Sequence, residues 1–135
     1  MNILFICRHN VFRSRIAEAY FKKINKNKNI HASSAGLFKG TNFSRAQKQI
    51  AKKLNLFPVS KPKPLSVKLL KKQNLTIIVA DDIPLYLFDN KDYNKKVIQW
   101  KIPDVLDNRP KQVKKTAVLI KKKVEELVKK LEEKK

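Results

Sequence analysis

The sequence holds one cysteine in 135 residues. A lone thiol excludes an internal disulfide, and with it the disulfide-stapled secreted scaffolds; it fits a reducing cytoplasm. Long apolar runs are also missing. No stretch approaches the roughly 18 apolar residues of a membrane-spanning helix. The apolar start, residues 1–7, is short and lacks a basic leader and a small-residue cleavage site. It therefore reads as a buried first strand rather than a secretory signal. There are no repeats and no low-complexity linker, so one domain over residues 1–135 is expected. The only histidines are His9 and His31. With no cysteine or carboxylate spaced to join them, no metal site is expected, and no cofactor.

Acidic residues are scarce: 11 stand against 32 basic ones, for a net charge of +21. Such an excess attracts polyanions such as nucleic acid, anionic lipid or phosphorylated substrates. The basic residues are spread along the chain with no arginine-rich patch, so the excess reads more simply as the mark of a lysine- and asparagine-rich composition. Charge of this kind speaks to association and solubility rather than to fold. Apolar residues make up 42%, enough to build one core.

Residues 2–6 (NILFI) and 75–80 (LTIIVA) are short apolar runs of the kind that form strands buried on both faces. Residues 30–35 alternate and end at Gly36, and residues 96–100 (KVIQW) complete four strand candidates. Apolar residues recur at helical spacing over 14–24, 44–56 and 111–135, with Ser44 a candidate N-cap. Shorter helices are expected at 66–72 and 82–88, with Pro84 near the first turn of the second. Residues 58–64 and 102–110 read as connections. The order β-α-β-α-α-β-α-β-α predicts an α/β fold. It would be a three-layer sandwich, with a four-stranded parallel sheet and helices on both faces. Trp100, at the end of a strand, reads as core.

Ligands in such folds bind outside the carboxyl ends of the strands. Cys7 sits there, in the stretch FICRHNVFRSR. Arginine is rare in this chain, yet Arg8, Arg13 and Arg15 all fall in these few residues. Five residues separate Cys7 from Arg13, and Ser14 follows. A loop of that length between strand and helix can curl its backbone N–H groups around one anion. The helix start adds its positive end. Arg13 closes the loop with a planar two-pronged donor that lysine cannot supply. The same field favours a thiolate nucleophile at Cys7. Ser14 can donate to that thiolate. Asn10 tolerates the left-handed backbone that the curl needs. Arg8 and Arg15 either widen the positive field or face solvent. His9 reads as a pocket-lining residue.

With these residues in view, the chain resembles the low-molecular-weight protein tyrosine phosphatase family, which includes related arsenate reductases. C-x5-R-S after an N-terminal strand, then IAEAYF, carries the resemblance. SSAGL, KPKPLS before LTIIVADD, and WKIPDV follow in the family's order. The resemblance implies a phosphocysteine mechanism without metal. Cys7 attacks phosphorus. Arg13 and the loop residues Arg8, His9, Asn10, Val11 and Phe12 hold the phosphoryl oxygens, with Ser14 beside the thiol. Asp104 is the general acid, with Asp107 as a rival.

Three departures stand out. His9 replaces the family's glycine. Phe12 stands where many relatives have a second cysteine, so the loop has no redox partner for Cys7. Asp104-Val105 replaces Asp-Pro, with no tyrosine after it to flank an aromatic substrate. The expected activity is hydrolysis of phosphate monoesters, on protein phosphotyrosine or a small aryl phosphate. The alternatives are an arsenate reductase using an external thiol and a non-catalytic oxyanion- or polyanion-binding module.

Overall fold

The computed structural model describes residues 1–57, 59–89, 96–104 and 109–133. Four strands form one parallel sheet: β1 (Asn2–Cys7), β2 (His31–Gly36), β3 (Leu75–Val79) and β4 (Val97–Trp100), in the spatial order β2-β1-β3-β4. The helices are α1 (Arg13–Ile24), α2 (Arg45–Lys53), α3 (Val67–Lys71) and α4 (Pro110–Glu133). The segment expected to be helical at 82–88 is a single 3₁₀ turn over Leu85–Phe88. Pro84 precedes it in extended conformation, as N-cap residues do.

The strands alternate between two apolar layers, as pleating requires. Ile3 and Phe5 of β1 join Leu75, Ile77, Val79 and Trp100 beneath α1, α2 and α4. Leu4 and Ile6 face the opposite side with Ile78, Ala80 and Leu70 of α3. Helices thus cover both faces, as the apolar runs implied. The α4 stripe of Val113, Ala117, Ile120, Val124 and Leu127 is buried, while its lysines stay outside. Trp100 is core, with its ring 5.9 Å from that of Phe5. Among the described residues no helix is long and apolar enough to cross a membrane.

Register positions the site. Cys7 pairs with Gly36 at the ends of β1 and β2, and Val79 with Trp100 at the ends of β3 and β4. The loops leaving β1, β3 and β4 therefore emerge side by side. β1 lies between β2 and β3, where the strand order reverses, and a crevice opens there.

Candidate active site

The loop after β1 is held from outside by its carbonyls. Leu37 and Phe38 donate their backbone N–H groups to the carbonyls of Cys7 and Arg8, at 3.2 and 3.0 Å. Arg15 donates to the Val11 carbonyl at 3.0 Å, and the Ile16 N–H to that of Phe12 at 2.8 Å. In a planar trans peptide the N–H points opposite to the carbonyl. The N–H groups of Arg8, His9, Phe12 and Arg13 are thus turned to the inner side. Phe12, at the N-cap of α1, supplies no side-chain cap. The first N–H groups of the helix are left for an anion.

Asn10 makes the curl. Its φ is 54°, in the left-handed region, and it is fully buried. Its amide orientation is set by neighbours. Oδ1 accepts the Lys63 backbone N–H at 2.9 Å, so Nδ2 must donate. It does so to Ser14 Oγ at 2.6 Å and to Ser34 Oγ at 3.0 Å. Ser34 in turn donates to Glu18 Oε1, an acceptor-only carboxylate that also accepts from Ser60 at 2.6 Å. Ser14 accepts a hydrogen bond from Asn10, so its own hydroxyl hydrogen is free to point at Cys7, whose Sγ lies 3.0 Å away.

Arg13 is buried, with its residue 3% exposed. Nη1 donates to Asp82 Oδ1 at 2.9 Å and to the Ile102 carbonyl at 3.0 Å; Nη2 reaches Asp82 Oδ2 at 3.3 Å. Its Nε lies 3.8 Å from Asp104 Oδ1. One guanidinium thus ties the ends of β1, β3 and β4 together. Partial burial works to raise the Asp82 pKa. The hydrogen bonds and charge of Arg13, aided by Arg8, outweigh it and hold the carboxyl below its usual range.

A cleft of ≈ 170 Å³ is lined by Cys7, His9, Val11, Phe12, Arg13, Gln47 and Asp104. Seven of the expected site residues are thereby sorted. Cys7, His9, Val11, Phe12, Arg13 and Asp104 meet at the cleft, while Asn10 lies behind the loop as its clamp. Arg8 stands at the rim, its side chain 52% exposed and 4.0 Å from Asp82. Ser14 is buried against the thiol. Asp107 lies outside the described residues. Arg15 does not face solvent; it is buried, with its guanidinium carbon 4.2 Å from the Phe43 ring centroid. His9 packs against Phe38, with ring centroids 5.9 Å apart. Among the described residues no group of three or more His, Cys, Asp or Glu could hold a metal.

Sequence reasoning missed Asp82, Gln47, Ser34 and Glu18. Asp82 had a signal: it follows a buried strand at its carboxyl end, where ligands bind. Gln47, Ser34 and Glu18 had none, since each reads as an ordinary polar residue of a helix or strand.

The model for low molecular weight phosphotyrosine protein phosphatases matches residues 2–135. No protein of curated description matches the chain by sequence. Among solved structures, a low-molecular-weight phosphotyrosine phosphatase from Vibrio cholerae O395 is similar at 20% identity and a TM-score of 0.88, covering 99% of this chain and 98% of its own. The YwlE arginine phosphatase from Geobacillus stearothermophilus is similar at 18% identity and a TM-score of 0.84, covering 98% and 94%. An arsenate reductase from Archaeoglobus fulgidus DSM 4304 is similar at 26% identity and a TM-score of 0.73, covering 93% and 98%. The chain belongs to the low-molecular-weight phosphotyrosine protein phosphatase family, whose activity is cysteine-dependent phosphatase chemistry.

Proposed function

We propose that Cys7 is the nucleophile of a phosphate-monoester hydrolase, acting on a phosphorylated protein or small molecule. The observation that carries this reading is the thiol at the bottom of the curled loop, 3.0 Å from a hydroxyl whose proton is directed at it. In the first step the Cys7 thiolate attacks phosphorus, an S–P bond forms and the ester P–O bond breaks. Asp104 gives its proton to the leaving oxygen. In the second step water attacks the phosphocysteine and Asp104 takes its proton. The S–P bond breaks, and inorganic phosphate and the thiolate are released. Arg13 and the inward N–H groups of Arg8, His9, Phe12 and Arg13 stabilise the charge on the equatorial oxygens. Ser14 donates to the sulfur as it leaves. Val11, Phe12 and His9 form the walls of the cleft.

Purified protein is expected to hydrolyse p-nitrophenyl phosphate, and Cys7→Ser to abolish this; equal rates for the two would refute the assignment. Asp104→Ala should cut turnover by ~10²–10⁴-fold, the usual span for a general acid. In a mere oxyanion binder that substitution would change phosphate affinity little. Arsenate could occupy the same cleft, and the likeness to an arsenate reductase keeps this reading in view. With Cys7 as the single cysteine, reduction would need an external thiol. Arsenate loss with glutathione or thioredoxin, against Cys7→Ser, tests it. The single reduced cysteine also favours a cytoplasmic location.

A further inference from the structure

Arg15 differs from the other arginines near Cys7. The residue is 5% exposed. Nε donates to the Ser60 carbonyl at 2.8 Å and Nη1 to the Val11 carbonyl at 3.0 Å. Among the described residues no carboxylate stands within ion-pair distance of it. Glu18, one helical turn away, is occupied by Lys22, Ser34 and Ser60. A buried cation held by neutral acceptors is costly, and such cations are ordinarily paired. Burial works to lower the Arg15 pKa, and the longer-range charges of Glu18 and Cys7 offset only part of that. The fold thus buries a guanidinium and leaves it short of an anion.

That guanidinium lines a pocket of ≈ 240 Å³ with Asn42, Phe43, Lys48 and Phe57. Lys48 adds a second positive charge, Asn42 an amide, and the two phenyl rings meet edge-on at 6.4 Å. The pocket adjoins the active-site cleft. Phe43 packs at 5.9 Å on Phe12, a cleft wall. Val11, whose carbonyl holds Arg15, is another wall. On α2, Gln47 lines the cleft and the next residue, Lys48, lines the pocket.

We propose that this pocket is a second, anion-selective subsite that takes the carboxylate of an acidic residue flanking the phosphorylated residue of a protein substrate. The inference rests on the reading of the Cys7 cleft as a phosphatase site. The aromatic walls suit the aliphatic stem of Glu or Asp, and the cations its carboxylate. Arg15, already desolvated by burial, loses little more when the carboxylate arrives, while the exposed Lys48 draws it in from solvent.

The test uses phosphotyrosyl peptides that are identical except for Glu or Gln on the flanks of the phosphotyrosine. p-Nitrophenyl phosphate, too small to reach beyond the cleft, is the control. Wild-type protein is expected to show about tenfold higher kcat/KM on the Glu peptide, the scale of one charge-assisted contact. Lys48→Glu should erase that preference and leave p-nitrophenyl phosphate turnover unchanged. Arg15→Met should erase it as well; Lys48→Glu keeps the test decisive if the Arg15 variant does not fold. Equal rates on both peptides, with p-nitrophenyl phosphate hydrolysed normally, would overturn the subsite and leave the phosphatase assignment standing. If the control is not hydrolysed above Cys7→Ser, the phosphatase assignment falls instead. Binding of the two peptides to Cys7→Ser protein, followed by fluorescence anisotropy, then decides the subsite: equal affinity overturns it and tighter binding of the Glu peptide supports it.

Discussion

With φ at 54° and its amide fully buried, Asn10 combines a backbone role and a side-chain role in the loop. Few non-glycine residues accept that φ, and asparagine is one of them. Asn10→Ala would keep the loop's length but strain its backbone. It would also leave the Lys63 N–H without its acceptor and take one donor from each of Ser14 and Ser34, which keep Cys7 and Glu18 as partners. A loss of about 1–3 kcal/mol is expected for these broken hydrogen bonds, measurable by denaturant unfolding. In the proposed mechanism, Ser14→Ala removes one hydrogen bond to the departing thiolate. Turnover should fall by roughly 10- to 100-fold, the scale of a charge-assisted bond. Rapid-mixing kinetics should then show phosphocysteine accumulating, because the second step is the one that slows. Cys7 and Arg13 were legible in the sequence because their spacing is local and their chemistry needs those residue types. Asp82 had only its place after a buried strand to mark it, and its pairing with Arg13, 69 positions away, was not legible.

Among the elements, the end of β2 packs tightly against the loop after β1. A Cβ on Gly36 would come within 2.6 Å of the Asn10 nitrogen and the His9 carbonyl carbon. Backbone on both sides leaves no flexible group to yield. Gly36→Ala should therefore displace the loop and lower kcat/KM on p-nitrophenyl phosphate, while far-UV circular dichroism stays native. At α2, Ser44 and Gln47 form a reciprocal capping box, as Ser44's place before the periodic run suggested. Ser44→Ala should cost about 1 kcal/mol in thermal or denaturant unfolding. α1 has no such cap, and its start points into the site. A helix stabilised by packing can leave its N-terminal N–H groups open for a ligand. The short 3₁₀ turn after Pro84 was misjudged in kind because helical periodicity cannot be tested over so few residues.

At the scale of the whole molecule, the single guanidinium of Arg13 couples stability to pH through Asp82. The folded carboxyl is held below its usual range. Its contribution is therefore complete above the unfolded value of about 4 and is lost as pH falls through the lower folded value. Asp82→Asn should flatten the decline of stability below pH ~4, read from melting temperatures across an acid series. The +21 charge acts differently. Retention on immobilised nucleic acid is expected at low salt and should disappear as salt rises, whether or not Arg13 is replaced by alanine.

The amino-acid pattern alone determined the alternation of buried strands and amphipathic helices, because apolar periodicity and strand length are local properties. It likewise pointed to Cys7 and Arg13 as candidate site residues and to the family the chain belongs to. Only the tertiary structure decided which carboxylates hold Arg13 and how the Asn10 amide donates on one side to Ser34, which donates to Glu18, and on the other to Ser14, beside Cys7. It alone showed that Arg15 is buried with no carboxylate of the described residues within ion-pair distance. Those contacts join residues from separate strands and helices, and it is the strand order β2-β1-β3-β4 that brings them to one crevice. Hydrogen bonds and ion pairs act over a few ångströms, so they come into being only when packing has closed those distances.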